Sequence, residues 1–432
     1  MKARYTGILA LVVIASSALG DESASRPARR TIFNRLSLAQ LQRFDRDRAT
    51  LAKKVKRVAV PYPFVRSTLH MHSELSHDSN GKIAEIIAAA KATGTRIVGF
   101  TEHPREDVDV IKANVKGWKD GVYFLSGVES GGALYWPGRE GEADLRFVSH
   151  PEEQPTFDRL KFVGMEIYNT HSDALDEPMK RLLAAVFLNL PAIRAHTDAA
   201  FESFLDYPAD FMAQYDRLTV EAPFSGIAAN DSHQNVAFKL VAMPDGTVEI
   251  FDYASDPVTK VEDMGAKVLR AAFGPKGKVT EPTVMTQLSF DPYERSMRHV
   301  GTFLQIGEIT ERTIRHALRT GRILLGFEIV APLPSCGFWV ERDGKPVGTV
   351  GDQVACQPGL SFRCALPAKA DIRIVGNGKC LHEACAETCV LPVSAAGAYR
   401  LEAFVTLAGE RWPWVISNPI YVTSAPATRR SE

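Results

Sequence analysis

The chain has 432 residues, of which 45% are hydrophobic and 24% are charged. These values are typical of a globular protein, and the length suits two or three domains better than one. Lysine and arginine together number 51, as do aspartate and glutamate. This balance argues against a protein that binds nucleic acid through an excess of positive charge.

The first 20 residues have the layout of a secretory signal peptide. Lys2 and Arg4 precede an apolar run from Ile8 to Ala15, and small residues follow before Asp21. The apolar run is shorter than the roughly 20 residues that a membrane-spanning helix needs. No later stretch is long and apolar enough to span a membrane. The sequence therefore predicts export to the periplasm or the exterior, without a membrane span.

Residues 21–57 are basic and polar. From about Arg35 to Arg57, apolar residues recur in an irregular stripe, which predicts an amphipathic helix packed on the main domain. A helix lying on a membrane surface is the alternative, although its apolar face is weak for that role.

Residues 58–330 alternate between strand-like and helix-like segments. The helical pattern is clear at Ile83–Ala92, which ends before Gly94, and again at Glu308–Arg319. Because the strands are largely apolar, we expect parallel strands covered by helices, in a barrel or a doubly wound sheet. The predicted strands are Val65–Leu69, Arg96–Phe100, Val122–Val128, Leu145–Ser149, Phe162–Tyr168, Ser225–Ala229 and Thr283–Phe290.

Residues 331–425 have a different character, with short alternating runs between glycine and proline turns. This pattern predicts a small β-sandwich domain. The cysteines in an exported chain suggest disulfides, but six cysteines allow 15 pairings and the sequence does not choose among them. A zinc site at Cys380, His382, Cys385 and Cys389 is the rival interpretation. All six cysteines lie in this region: Cys336, Cys356, Cys364, Cys380, Cys385 and Cys389.

Side chains that can bind metal follow the predicted strands up to Ala229. In parallel α/β folds the carboxyl ends of the strands meet on one face, so these residues are expected to converge there. Residues two apart in an extended strand point the same way, which aims two ligands of each such pair into one cavity. The residues are His70 and His72, Glu102 and His103, Glu129, His150, His171, and Asp231 and His233.

A single histidine in such a position is more often structural than a ligand. Six of the chain's 11 histidines nevertheless follow strands, and coincidence explains that poorly. Imidazole and carboxylate together suit zinc, manganese or iron, and so many ligands suit two or three ions rather than one. His196, His299 and His316 lack this placement and are predicted to be structural.

These motifs resemble a known family. In chain order, LHMHSELSHDS, GFTEH, GVE, SHP, EIYNTH and NDSH resemble the motifs of the PHP superfamily, named for polymerase and histidinol phosphatase. The resemblance covers about residues 64–325. It implies a metal-dependent phosphoesterase on a distorted (β/α)7 barrel with a trinuclear metal site.

The resemblance also implies a ligand set. His77 is an alternative to Asp78, and Glu102 stands where the family usually has aspartate. The implied ligands are His70, His72, Asp78, His103, Glu129, His150, His171, Asp231 and His233.

The C-terminal region resembles the β-domain of a PHP branch that includes carbaryl-hydrolase-like proteins. The similarity lies in Gly321-Arg322, Gly337-Phe338, Ala398-Tyr399-Arg400 and the stretch from Trp414 to Tyr421. Because some members of that branch are associated with amide or carbamate hydrolysis, the resemblance leaves the substrate open.

The expected chemistry is attack of a metal-activated water on phosphorus, or on a carbonyl carbon. His233, His171 or Glu102 is predicted to protonate the leaving oxygen. Arg105 is the predicted phosphate clamp, with Arg139 and Arg194 as further possibilities, although solvated surface arginines are common.

Three functions are open at this point. The first is an exported phosphoesterase with two or three divalent Zn, Mn or Fe ions and a small-molecule, phosphorylated ester as substrate. The second is an amide, carbamate or carboxylic ester hydrolase on the same site. The third is a non-catalytic extracellular binding protein. No Gly-x-Ser-x-Gly elbow or phosphate-binding P-loop is present, and the oligomeric state is left open.

Overall fold

The structure is a computed structural model that describes residues 30–138, 142–170, 185–204, 206–235, 237–251 and 257–424. The predicted signal peptide lies outside the described residues, as do His171 and Arg139. Where the chain is described, no helix is both long and apolar enough to cross a membrane.

Two helices begin the described chain, Ile32–Arg35 (α1) and Leu38–Ala52 (α2). Helix α2 is the predicted amphipathic helix, shorter than expected at both ends. It buries Leu41 and Phe44, and Phe44 meets the edge of the Trp412 ring at a centroid distance of 5.3 Å. The helix therefore packs on the C-terminal β-rich part of the molecule.

The next region has a mixed α/β fold with a mainly parallel core. Strands β4, β2, β1, β9, β8 and β7 are hydrogen-bonded neighbours in that order, and every pair in the series is parallel. The strands are Val65–Met71 (β1), Ile97–Phe100 (β2), Gly117–Lys119 (β3), Val122–Leu125 (β4), Val128–Ser130 (β5), Ala133–Trp136 (β6), Leu145–Val148 (β7), Gly164–Asn169 (β8) and Ser225–Ser232 (β9).

Antiparallel strands flank this core. Strand β3 pairs with β4, while β6 pairs with both β5 and β7. A parallel bridge between Glu102 and Val128 connects the end of β2 to β5. The prediction of one strand over Val122–Val128 is wrong, because β4 ends at Leu125 and a second strand begins at Val128, with Gly127 between them. A Cβ atom there would lie 2.4 Å from the Tyr135 carbonyl oxygen.

The helices of this region lie between the strands. Helix α3 matches the predicted helix closely and ends at Gly94, whose φ of 71° is the left-handed conformation that favours glycine. A 3₁₀ turn covers Arg159–Lys161. The helices are Ile83–Thr93 (α3), Val110–Ala113 (α4), Leu190–Ala195 (α5), Thr197–Glu202 (α6) and Ala209–Glu221 (α7).

A separate antiparallel sheet interrupts the α/β region directly after β9. Its strands occur in the order β12-β11-β10-β13, and it has a small core that includes Leu240, Val248 and Ile250. Only β13 was predicted from the sequence. The elements of this insert are Ala237–Ala242 (β10), Val248–Phe251 (β11), Pro257–Val261 (β12), Asp263–Phe273 (α8) and Thr283–Ser289 (β13).

The chain then returns to the main sheet. Helix Tyr293–His299 (α9) leads into Gly301–Leu304 (β14), which pairs with β1, and the predicted helix follows at Glu311–Thr320 (α10). Strand Ile323–Gly326 (β15) pairs with β14 on one side and with a C-terminal strand, β22, on the other. Main-chain hydrogen bonds therefore connect the α/β region to the C-terminal region.

From Gly337 onward the described chain contains only strands and turns. The long strand β19 changes neighbours along its length, pairing first with β16 and then with β21, while β20 pairs with it on both sides of an interruption between Ala365 and Ala370. The strands are Gly337–Arg342 (β16), Lys345–Thr349 (β17), Gln353–Ala355 (β18), Leu360–Gly376 (β19), Lys379–Pro392 (β20), Gly397–Leu407 (β21), Glu410–Ser417 (β22) and Ile420–Thr423 (β23).

All six cysteines are free thiols in this structure, so none of the predicted disulfides is present. The rival zinc site at Cys380, His382, Cys385 and Cys389 does not assemble either. Among the described residues, the groups of side chains that could share an ion contain no cysteine.

Candidate metal centre

Four predicted ligands converge where β1, β5, β7 and β9 end. His70 Nε2 lies 3.0 Å from Glu129 Oε2 and 3.3 Å from Asp231 Oδ1. His150 Nε2 lies 3.1 Å from Glu129 Oε1 and 3.4 Å from Asp231 Oδ2. One ligand atom from each of the four lies within 4.8 Å of all the others. We call this set group A.

Three further histidines form a second set beside it. His72, His103 and His233 each offer a ring nitrogen within 4.8 Å of the others, and the His72 and His233 rings stack at 3.9 Å. Asp78 Oδ2 lies 3.4 Å from His103 Nε2 and 3.4 Å from His233 Nε2, so we include it in this set, group B. His77, the predicted alternative to Asp78, is exposed and lies against the His103 ring.

Two carboxylates lie between the groups. His72 Nε2 of group B is 3.6 Å from Glu129 Oε2 and 3.6 Å from Asp231 Oδ1, although both carboxylates belong to group A. The groups are thus parts of one centre. The carboxylates occupy the positions from which a single side chain could reach two neighbouring ions.

The backbone of group A is unusual. His70, His150 and Asp231 have φ values of 57°, 45° and 45°, in the left-handed region that residues other than glycine seldom adopt. The parallel register of β1 with β9 shifts between Leu69 and Met71, and this shift includes His70 on β1 and Asp231 on β9. The simple alternation expected from the sequence is therefore broken, yet all these side chains reach one cavity. Such conformations cost about 1–3 kcal/mol each and cluster at functional sites.

A hydrogen-bond network fixes the tautomer of His72. The Ser76 hydroxyl donates its one proton to Glu102 Oε2 at 2.7 Å, so it accepts from His72 Nδ1, 3.0 Å away. The His72 proton is therefore on Nδ1, which leaves the lone pair of Nε2 directed at the two shared carboxylates. That is the state in which imidazole binds a metal.

Glu102 lies beneath the ligand loop and is fully buried. Its carboxylate accepts hydrogen bonds from Ser73 N and Oγ, from Ser76 Oγ and from Asn114 Nδ2, at 2.6–2.9 Å for the shortest contact of each donor. The sequence predicted that Glu102 protonates a leaving group. That role stays a prediction. In this position the four donors surround its oxygens, and these contacts hold the loop that carries His72.

Glu166 was not predicted, and it orients group A. This fully buried carboxylate on β8 lies 2.6 Å from His70 Nδ1, and it accepts from His150 N at 3.0 Å and from Asn169 Nδ2 at 2.9 Å. It therefore directs the other nitrogen of His70 at Glu129 and Asp231. An acid within the apolar run Phe162–Tyr168 was the sequence signal, since a buried charge requires partners.

Tyr293 holds the ligand loop from the opposite side. Its hydroxyl donates to the His72 carbonyl oxygen at 2.7 Å and lies 3.2 Å from Ser79 Oγ, which donates to the His233 carbonyl oxygen at 2.9 Å. Burial raises the pKa of Tyr293, so the phenol remains a donor at neutral pH. One tyrosine thus links the strand ends that carry His72 and His233.

The electrostatics favour positive charge between the shared carboxylates. Burial opposes protonation of His70, but Glu129, Asp231 and Glu166 outweigh it and raise its pKa well above the usual value. Burial also opposes ionisation of Glu129, yet the neighbouring histidines lower its pKa. A cation is therefore stabilised where His70 Nε2 meets these carboxylates.

In group B, burial opposes protonation of His103 but Asp78 outweighs it and raises the pKa of that histidine, whereas the other two histidines behave in the opposite way. Burial, followed by the charges of His233 and His70, lowers the pKa of His72 well below the usual value. Burial likewise lowers the pKa of His233. Neutral imidazoles beside carboxylates are the donor set that a divalent transition metal prefers.

Buried polar atoms without a hydrogen-bond partner also indicate a metal site. Among the described residues, no hydrogen-bond partner is found for two buried atoms that face the centre, His72 Nε2 and Asp78 Oδ1. Buried polar atoms are normally hydrogen-bonded, and an ion is one explanation for the exceptions. The donor chemistry and the spacing of both groups agree with a metal centre.

The centre is open to solvent on one side only. The side chains of Asp78, His103 and His150 are 30%, 25% and 19% exposed, whereas those of His70 and His72 are fully buried. A substrate would therefore approach past Asp78, His103 and His150.

The remaining predicted residues lie elsewhere or outside the described chain. Arg105 donates to both carboxylate oxygens of Asp107, at 2.8 and 2.6 Å, and Arg194 donates to Thr286 of the insert. Neither pairing engages the centre. The clamp role of Arg105 stays a prediction, as do the roles of His171 and Arg139.

The predicted structural histidines have partners away from the centre or face solvent. His196 Nδ1 lies 2.6 Å from Asp45 Oδ2, and His316 is exposed on α10. His299 lies between Tyr168 and Glu202, at 2.8 and 2.9 Å.

Residues 68–217 match the family model of the PHP domain. The chain carries a PHP domain. The match includes the described ligands from His70 to His150, while Asp231 and His233 lie beyond it and are brought in by β9. The resemblance inferred from the motifs is thereby confirmed, but the likeness of the C-terminal region to carbaryl-hydrolase-like proteins stays a prediction.

No curated protein matches the chain. A crystal structure from Bacteroides vulgatus, of a two-domain protein containing a predicted PHP-like metal-dependent phosphoesterase, aligns with 84% of this chain and 98% of its own. The sequence identity is 12% and the TM-score is 0.33.

Proposed function

We propose that the protein is an exported metal-dependent hydrolase, a phosphoesterase acting on a small-molecule phosphate ester. One observation supports this most strongly: two adjacent ligand groups share Glu129 and Asp231, in a chain whose residues 68–217 match the PHP domain. A centre of that kind suits chemistry in which one ion activates water and another stabilises charge on the substrate.

In this proposal the two groups hold two or three divalent transition-metal ions, with Zn, Mn and Fe as the metals that suit the ligands. Group A and group B each supply one set of ligands, and Glu129 and Asp231 connect them. When bound, the ions supply Lewis acidity and lower the pKa of a water molecule toward neutrality.

The chain's own residues orient the ligands and limit access. Glu166 holds His70 and the backbone of His150, while Glu102 and Ser76 hold His72. The fully buried ligands exclude water from one side. His233 serves as a ligand here, and a phosphate that reached Arg105 would compete with Asp107 for the guanidinium.

We also propose the following organisation. Residues 1–20 form a signal peptide and residues 21–57 a basic helical segment. Residues 58–330 form a distorted (β/α)7 barrel, and residues 331–425 form a β-sandwich. The strand pairings and the Glu102–Val128 bridge support the barrel, and the changing neighbours of β19 support the sandwich.

The test is metal content and hydrolysis in matched variants of the mature chain. We expect elemental analysis to find about two or three transition-metal ions per chain, and a chromogenic phosphate monoester to be hydrolysed until a chelator removes them. His72→Ala and Asp231→Asn should lose metal and about a hundredfold or more in activity. His316→Ala, an exposed helical histidine, should lose neither.

The substrate panel separates the other functions. Phosphate diesters and aryl carbamates are assayed beside the monoester at equal metal content. If the protein hydrolyses carbamates but no phosphate ester, its function is carbamate hydrolysis on the same site and not phosphoester hydrolysis. Full activity after metal removal, or a folded chain that binds no transition metal, would contradict the proposal.

A further inference from the structure

Two cysteines face each other across neighbouring strands of the C-terminal region. In the antiparallel pair β19–β20, Cys364 lies directly opposite Cys389. Directly opposite residues in such a pair have Cα atoms about 4.5–5.5 Å apart, within the separation that a disulfide spans. The other two cysteines of β20 have different partners, because Cys380 lies opposite Val375 and Cys385 lies opposite Asp371.

The two sulfur atoms also interact. A side-chain hydrogen bond with Cys389 raises the pKa of Cys364 and lowers that of Cys389. Both residues are buried, at 2% and 6% exposure. The thiols therefore project to the same face of the sheet and meet there, with Cys389 as the more readily ionised partner.

Cys336 is the rival partner for Cys364, since it lies just before Gly337, which pairs with Ala365. It does not lie opposite Cys364, because Phe338 occupies that position on β16. Burial raises the pKa of Cys336 to about 12, so this thiol ionises less readily than an exposed cysteine.

The pair lies at a weak point of the ladder. Pairing of β19 with β20 is interrupted between Ala365 and Ala370, one residue beyond Cys364, at the point where β19 exchanges β16 for β21. Within the interruption, the Pro367 carbonyl oxygen accepts a hydrogen bond from Lys56 N and not from β20. A covalent link at the last regular rungs would fix the register where hydrogen bonding stops.

We propose that Cys364 and Cys389 form a disulfide that joins β19 to β20 in the exported protein. The Cys389 thiolate attacks one sulfur of an oxidant disulfide, which releases a thiolate and forms a mixed disulfide. The Cys364 thiolate then attacks the Cys389 sulfur and displaces the second thiol of the oxidant. Overall, two thiols lose two protons and two electrons, one S–S bond forms, and the oxidant disulfide is reduced to two thiols.

The experiment treats the full mature chain, purified in reduced form, with glutathione disulfide. Free thiols are then alkylated, and the chain is digested without reduction and analysed by mass spectrometry. We expect one linked peptide pair containing Cys364 and Cys389. Cys364→Ser should abolish it, whereas Cys385→Ser and Cys336→Ser should retain it.

Thermal unfolding provides a second measurement, because it does not depend on the folding of a variant. Oxidised wild-type chain should melt about 5 °C above the same chain after reduction, since the link closes a loop and restricts the unfolded state. A Cys336–Cys364 link, or six free thiols after oxidation, would overturn the proposal. Metal content is measured on the same samples and is expected to be equal in both, so failure here is distinguishable from failure of the proposed phosphoesterase.

Discussion

At the scale of single residues, two buried carboxylates outside groups A and B hold the candidate ligands in place. Glu166 contacts the side chain of His70 and the backbone of His150, so one side chain sets the direction of two ligands. Glu102 has the corresponding role for the loop of His72. Groups of this kind tune both the tautomer and the basicity of a ligand.

Glu166→Gln tests this role with almost no change in volume. The amide nitrogen cannot accept a hydrogen bond, so either His70 Nδ1 or His150 N loses its partner. We expect metal affinity to fall about 10–100-fold, measured by competition with a chromophoric chelator. Glu383→Gln, a carboxylate on the distant strand β20, is the control, and equal affinity in both variants would show that Glu166 does not orient the ligands.

Much of the centre could be predicted from residue placement alone. His70, His103, Glu129 and Asp231 follow or end strands, and the carboxyl ends of parallel strands meet, so their convergence needs only the strand pattern. Glu166 was missed because it lies within a strand rather than after it. The left-handed conformation of His70 could not be predicted either, since it depends on the pairing of β1 with β9.

At the scale of elements, the loop after β1 is held between β2 and α9. Tyr293 on α9 reaches the His72 carbonyl oxygen, and its ring passes closely over Gly81. A Cβ atom on Gly81 would lie 1.6 Å from the Tyr293 hydroxyl oxygen and 2.2 Å from two ring carbons. The loop and the helix therefore fit only if residue 81 has no side chain.

Gly81→Ala should displace the Tyr293 ring and destabilise the folded chain by about 1–3 kcal/mol, as overpacking does. Tyr293→Phe removes only the hydrogen bonds and should cost about 1 kcal/mol. Both free energies are obtained from denaturant unfolding followed by fluorescence. Gly307→Ala is the control, because no atom lies within 4 Å of its added Cβ. A Gly81→Ala chain as stable as this control would contradict the close packing.

Elements with a strong local pattern were predicted well, and those stabilised by distant partners were not. Helix α3 has regular apolar spacing and a terminal glycine, so its limits were predicted to within a residue. Strand β19 runs for 17 residues, yet only Ala370–Ile374 was expected, because its first half is held by pairing with β16 and β20. The insert sheet was also missed. Its strands pair with one another, and β10 and β11 pair with their neighbours along the chain.

At the scale of the whole molecule, a buried ionic cluster joins the α/β region to the C-terminal region. Arg400 on β21 donates to both oxygens of Asp216 on α7, at 2.6 and 2.8 Å, and to Glu402 at 2.5 Å. Tyr207 donates to the same Glu402 carboxylate. Burial opposes the charge of Arg400, but these carboxylates outweigh it and raise its pKa well above the usual value.

Arg400→Leu leaves Asp216 and Glu402 as buried charges without their cation. We expect a loss of about 3–5 kcal/mol in the free energy of unfolding, measured with denaturant. Arg363→Leu removes the partly exposed pair with Glu341 and should cost less than about 1 kcal/mol. If the two variants unfold at the same denaturant concentration, the cluster does not hold the regions together.

The change in composition near residue 331 predicted where helices give way to strands, but not how the two regions are connected. Contacts between distant residues, such as Arg400 with Asp216, leave no periodic pattern in the sequence. The pairing of Leu324–Gly326 with Val415–Ser417 is equally invisible, because each strand alone looks like any buried strand.

That pairing bears on any attempt to shorten the protein. A chain cut near residue 330 would lose β22 and leave one side of β15 with unsatisfied main-chain amides and carbonyls. An uncovered apolar strand of this kind recruits a strand from another molecule. The α/β region contains every described ligand, yet it depends on β22 of the C-terminal region to complete the pairing of β15.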